Sequence, residues 1–166
     1  MVIKPAKLPL LLLFSSSLCF GDVDWRAVNH EGNCWENAGL AYQVNPWLLY
    51  AIAEKESSLN PMAVNDRNKD GTSDYGLMQI NDFWIPLIEK YGYKKNDLFD
   101  PCTNIHVGAW VLAQSINVFG NNWRAVGAYN AGTRLNEKRE FLRQKYASSV
   151  FERYERLVGK LHKPAE

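Results

Sequence analysis

Glu56 is the residue around which a chemistry can be built. It lies in the stretch A-I-A-E-K-E-S-S-L-N, residues 51–60. Asn45-Pro46 upstream reads as a helix start, because Asn caps free N–H groups and Pro is tolerated at the first helical position. From there Leu49, Ile52, Ala53 and Glu56 fall at i, i+3, i+4 and i+7, on one helix face. Three are apolar and the fourth is a carboxylic acid. Burial disfavours the ionised form, so the Glu56 pKa is expected to rise. A carboxyl that keeps its proton near neutral pH is a general acid. Glu54 points elsewhere and reads as a solvated charge. This helix alone leaves a second reading equally open, a Glu at a frayed helix end satisfied by a salt bridge.

The elements that must position this acid are mostly helical. Residues 35–42 form a short helix, and the Pro46 helix stops near Asn60-Pro61, since Pro excludes its preceding residue from the helix. A polar, turn-rich stretch follows at 65–74, N-D-R-N-K-D-G-T-S-D. Residues 75–80, Y-G-L-M-Q-I, are a short strand or the floor of a cleft, and a broken helical segment covers 86–91. Asp100-Pro101 opens a strongly signalled helix that Gly120 stops. Within it Ile105, Ala109, Leu112, Ile116 and Phe119 keep the spacing of a core face. Another helix, 122–129, ends at Asn130-Ala131-Gly132. A last one carries Leu142, Tyr146, Val150, Tyr154, Leu157 and Leu161 as a packing stripe, with its many Lys, Arg and Glu facing solvent. The expectation is a mainly α single domain of packed helices with one small β-capable segment beside a cleft.

The chain has 166 residues, enough for one domain with a real core. Net charge is +1 and no basic stripe is present, which gives no reason to expect a nucleic-acid partner. Six Trp and eight Tyr fill cores and also suit a groove that stacks on sugar rings. Lys4 and Lys7 precede an apolar run too short to span a bilayer, so residues 1–21 read as a secretory signal cleaved after Gly21, with a short uncleaved anchor as the competing reading. Without them the chain has 17 basic and 18 acidic residues. Residues 22–33 are a lead-in, 34–157 the domain and 158–166 a tail. Cys34 and Cys102 remain, and in an exported protein an even pair points to a disulfide rather than a metal site. His30, His106 and His162 show no ligand spacing, so neither metal nor cofactor is expected.

Glu56-Ser57 with Asn60-Pro61, then Gly76-Leu77-Met78-Gln79-Ile80, then Ala128-Tyr129-Asn130-Ala131-Gly132 resemble the three signature motifs of soluble lytic transglycosylase catalytic domains. The match covers nearly all of 34–157. N-C-W around Cys34 and D-P-C-T-N-I around Cys102 resemble the small members attached to type III secretion and related transport machines. The resemblance implies a lysozyme-like (α+β) fold and a single catalytic Glu, here Glu56. It implies cleavage of the β-1,4 bond between N-acetylmuramic acid (MurNAc) and N-acetylglucosamine (GlcNAc) of peptidoglycan with formation of a 1,6-anhydro end. By the same analogy Ser57, Met78, Gln79 and Asn130 contact substrate, and Tyr129 orients Glu56. It further implies a monomer in the periplasm of a Gram-negative bacterium, opening the wall locally for a secretion or conjugation apparatus.

One stretch departs from that family. Residues 65–81 also resemble the region of animal-type lysozymes that carries their second catalytic carboxylate, and Asp74 occupies that position. Asp74 is therefore a candidate stabiliser of an oxocarbenium-like transition state, or the partner that makes the protein a hydrolytic muramidase. Its structural alternative is a turn residue capping local backbone. Asp66-x-Asn68-x-Asp70-Gly71 opens like a calcium loop, but the twelfth position is Leu77, not Glu, so a turn is expected instead. A further alternative is a non-catalytic peptidoglycan-binding protein that keeps the cleft for docking.

Overall fold

The structure, a computed structural model, describes residues 33–161. The expected signal segment, most of the lead-in and residues 162–166 of the tail lie outside them. The helix starts follow from local capping chemistry. Asn33 caps α1 (Cys34–Tyr42) by accepting from the Trp35 N–H at 3.0 Å. Asn45 caps α2 (Pro46–Ser57) from the Trp47 N–H at 2.9 Å, with Pro46 in the first turn. The α2 helix ends earlier than Asn60-Pro61 requires. Ser58 and Leu59 turn left-handed at φ 54° and 65°, and their N–H groups return to Glu54 O and Ala53 O. Tertiary contacts at the helix end, described below, override the weaker proline signal.

Three two-residue strands follow, β1 (Val64–Asn65), β2 (Asp74–Tyr75) and β3 (Ile80–Asn81), antiparallel in the order β1-β2-β3. Asp74 stands opposite Asn65 on one side and Asn81 on the other. Residues 75–80 are thus not one strand. They leave β2, make a tight turn at 76–79 and enter β3. Gly76 at φ 75° serves this turn in two ways: it takes the left-handed conformation, and it lets the backbone lie against Asn104 and Leu98 O where a Cβ would collide. The broken helix is α3 (Ile85–Ile88) flanked by 3-10 turns at Asp82–Trp84 and Glu89–Tyr91.

The core forms around α4 (Pro101–Phe119), capped by Asp100 on the Thr103 N–H and stopped at Gly120. This helix buries far more than one face. Residues 103–109 are all buried, Asn104 and His106 included, because α1, α5 (Trp123–Ala131) and the 3-10 segment Lys95–Phe99 pack on it from several sides. Asn122 caps α5 and Gly132 ends it. The last helix, α6 (Glu137–Leu161), packs along α5 and α2 and continues past the expected domain boundary at Leu157. The Cys34–Cys102 disulfide joins the first turns of α1 and α4, with Cα atoms 5.3 Å apart. The result is mainly helical with one small sheet, as expected.

Candidate active site

A cleft of about 810 Å³ runs between the small sheet and the helices. The end of α2 contributes Glu56, β2 and the following turn Asp74 and Gln79, and the end of α5 Tyr129 and Asn130. A second groove of about 520 Å³ lies between α5 and α6, lined by Trp123, Phe151 and Glu140. Hydrogen bonds from Arg124 and Arg143 hold the Glu140 carboxyl below the usual carboxylate range, so Glu140 is no proton donor near neutral pH. The carboxyl raised toward neutral pH, Glu56, lines the first cleft.

Glu56 is partly buried on the last turn of α2, below fully buried Leu49, Ile52 and Ala53. Burial pushes its carboxyl up to about 7, against the opposing effects of a hydrogen bond from Tyr146 and the charge of Lys55; the negative charge of Asp74 adds to the rise. The Tyr146 hydroxyl on α6 donates to Glu56 Oε1. Tyr129, expected in that role, donates instead to Met78 O at 2.8 Å. Its ring stands between α5 and the 76–79 turn, so that hydroxyl braces the turn. Glu54, expected to be solvated, pairs with Arg156 of α6 at 2.6 Å.

The motif residues beside Glu56 divide into scaffold and wall. Ser57 Oγ donates to Leu77 O at 2.7 Å and accepts from the Asn60 N–H at 3.1 Å. Its hydroxyl locks the end of α2 to the turn. Met78 is fully buried, its thioether filling the space that Gly108 of α4 leaves open. A side chain with no accessible surface cannot touch a ligand, so Met78 contributes packing and its carbonyl. Gln79 does face the cleft, in a left-handed conformation at φ 49°, and its amide donates to Gly76 O at 2.9 Å and Ala63 O at 3.2 Å. Its oxygen points at no described donor. Asn130 is exposed on the cleft wall.

Asp74 is not a turn residue capping backbone. It sits in the middle strand and accepts from three side-chain amides: Asn65 at 2.9 Å and Asn68 at 2.8 Å on Oδ2, and Asn81 at 2.7 Å on Oδ1. The strand register puts Asn65 and Asn81 on either side of it. This cage holds the carboxylate in one orientation toward the cleft. The calcium-like spacing resolves the same way: Asn68 turns onto Asp74, Asp70 accepts from Thr72, and Leu77 is buried.

The family described as the transglycosylase SLT domain matches residues 33–151. The chain belongs to the lytic transglycosylase SLT family. It is 44% identical over 145 residues to protein IpgF of Shigella flexneri, covering 86% of this chain and 89% of that one. To invasion protein IagB of Salmonella typhimurium it is 42% identical over 128 residues, 76% of this chain and 78% of the relative. The solved lytic transglycosylase Slt of Pseudomonas aeruginosa superposes with a TM-score of 0.61 at 24% identity, over 80% of this chain. This chain spans 24% of that larger protein, and the likeness shows the shared fold.

Three residues that hold this SLT domain's site were not singled out from sequence. Tyr146 sits on the apolar stripe of α6 and is indistinguishable there from packing. Asn104, fully buried in α4, accepts from the Met78 N–H at 2.7 Å and donates to Tyr75 O and Leu98 O at 2.9 and 2.7 Å. It therefore fastens the whole 76–79 turn to the core. A polar residue flanked by core positions was the available signal. Arg143, in what looked like a solvated charge run, is 1% exposed. It donates to Gly132 O at 2.7 Å and pairs with Glu140 at 2.8 Å, fixing the loop that follows the A-Y-N-A-G motif.

Proposed function

We propose that the protein cleaves the β-1,4 MurNAc–GlcNAc bond of peptidoglycan as a lytic transglycosylase, with Glu56 as acid and then base. The observation that carries this reading is a cleft carboxyl whose burial brings it to about 7, poised to be either protonated or ionised near neutral pH. Glu56 first donates its proton to the glycosidic oxygen as the C1–O bond breaks. The resulting carboxylate takes the proton from the muramic C6 hydroxyl, whose oxygen attacks C1. The product carries a 1,6-anhydro end, Glu56 regains its proton, and no water is consumed. Gln79 and Asn130 on the wall bind sugar hydroxyl or N-acetyl groups. Phe83 and Trp84, stacked edge-to-face at 5.0 Å on the cleft side, supply an aromatic surface for a sugar ring.

The three-amide cage on Asp74 favours a second reading, a muramidase in which Asp74 stabilises or traps the cationic sugar and water is the acceptor. In either case the protein acts as a monomer in the periplasm of a Gram-negative bacterium, exported by its N-terminal 1–21 segment. The same reading has it serve a secretion or conjugation apparatus, with partner contact restraining its activity; a relative whose name is invasion protein is in keeping with such service. Replacing Glu56→Gln tests the enzyme reading: release of soluble fragments from sacculi should fall by about 10²-fold or more. Undiminished release would remove Glu56 as the acid, and a variant that kept the biological role would instead make the protein a binder.

A further inference from the structure

The three amides on Asp74 each have a cause for facing it with nitrogen rather than oxygen. Asn81 Oδ1 accepts from the Phe83 N–H at 3.0 Å and Asn65 Oδ1 from the Arg67 N–H at 3.3 Å. Asn68 Oδ1 accepts from the Asn65 amide at 2.9 Å. Each amide nitrogen carries two N–H groups, and one goes to Asp74. The second N–H of Asn65 goes to Asn68. Those of Asn68 and Asn81 converge on Thr72 Oγ1, at 3.3 and 2.8 Å.

A hydroxyl accepts two hydrogen bonds and donates one. Thr72 Oγ1 can take both amides because its own proton goes to Asp70 Oδ1, 2.7 Å away. The Thr72 N–H reaches the same oxygen at 3.1 Å. These two bonds, helped by the charge of Arg139 on α6, hold the Asp70 carboxyl below the usual carboxylate range. An ionised carboxylate only accepts, so the direction of every bond in the chain is set at exposed Asp70.

We propose that Thr72, directed by Asp70, is a positioning residue for the reaction: it locks the Asn68 and Asn81 amides as donors and thereby holds the Asp74 carboxylate in one orientation toward the cleft. The inference rests on the reading that Asp74 takes part in turnover, with either acceptor, and adds what keeps it in place. Thr72 and Asp70 reach Asp74 through the amides. Asn81 holds Oδ1 while Asn68 helps to hold Oδ2, so the one hydroxyl steadies both carboxylate oxygens. Without it each of the two amides has an N–H with no acceptor and is free to turn.

The test is a double-mutant cycle on soluble peptidoglycan strands, scored as chain scission so that it does not depend on which end the products carry. Thr72→Val removes the hydroxyl at nearly constant shape and should lower kcat by about threefold to tenfold with KM unchanged. Thr72→Ser keeps the hydroxyl and should restore kcat to within about twofold, which a role in packing alone would not predict. In an Asp74→Asn background, Thr72→Val should cost less than about twofold, because the group it positions is gone. Asp70→Asn, at an exposed site, should give a smaller loss in kcat than Thr72→Val and likewise add nothing to Asp74→Asn. An undiminished kcat in Thr72→Val, or the same loss in both backgrounds, would overturn the proposal while leaving Asp74 in the chemistry. Wild-type turnover by Asp74→Asn itself would sink the reading of Asp74, and the positioning role with it.

Discussion

The Tyr146 hydroxyl donates to Glu56 Oε1 across 90 positions of sequence, so the longest helix of the domain ends its packing role on the catalytic candidate. Both oxygens cannot then rotate freely, and the remaining carboxyl oxygen is the one left to face the cleft. The bond also favours the ionised form, opposing the burial that favours the protonated one. Glu56 sits near 7 as the balance of the two.

Tyr146→Phe removes the bond and keeps the ring. The Glu56 pKa should rise, because the lowering effect is gone and burial remains. A general acid is active when protonated, so activity falls as pH climbs through its pKa. The descending limb of the kcat/KM profile should therefore move to higher pH. Loss of orientation should lower kcat by about tenfold to a hundredfold. A variant with an unshifted limb would mean that the contact does not set the acid.

The raised carboxyl also has a stability consequence. A group whose folded pKa exceeds its unfolded value stabilises the fold while protonated, and that contribution is lost as pH rises through the folded value. For Glu56 the window runs from the ordinary carboxylate value of 4.5 to about 7. Across it the wild type should lose about 2–3 kcal/mol that Glu56→Gln does not lose. Urea melts of both proteins at pH 4.5 and pH 8 measure this. The variant should be relatively more stable at the higher pH.

Asp74 is fixed by three amides that an Asn in its place could not all satisfy, since each would then meet another donor or a neutral acceptor. Asp74→Asn should reduce turnover of peptidoglycan by at least about tenfold at every pH, through lost charge in the transition state. Wild-type turnover across pH would remove Asp74 from the chemistry under both readings.

The Cys34–Cys102 bridge closes a loop of sequence separation 68 and ties α1 to α4. In the chain-entropy account such a closure is worth about 4 kcal/mol. Cys34→Ser with Cys102→Ser should lower the unfolding free energy by that order, and reductant should destabilise the wild type but not the double variant.

Helix starts were readable because they are local. Asn45-Pro46, Asp100-Pro101 and Asn122 each carry the donor-satisfying side chain within three residues of the groups it caps. Glu56 was readable for the same reason, as a carboxyl on an apolar stripe. What stayed hidden depends on which parts of the chain meet. Nothing in α6 marks Tyr146 apart from Val150, and nothing in the motifs says that Ser57 and Met78 brace the 76–79 turn while Gln79 and Asn130 face the cleft. The strong cap signal of Asp100 located α4, yet the burial of Asn104 follows only from the backbone of that turn arriving beside it.

The central claim is that Glu56 passes its proton to the leaving sugar and then draws one from the C6 hydroxyl. Mass analysis of the soluble products of sacculi digested by the purified protein tests it directly. Fragments with 1,6-anhydromuramic ends, one water lighter than reducing ends, are the predicted result. Reducing ends alone would contradict it and make Asp74 the hydrolytic partner.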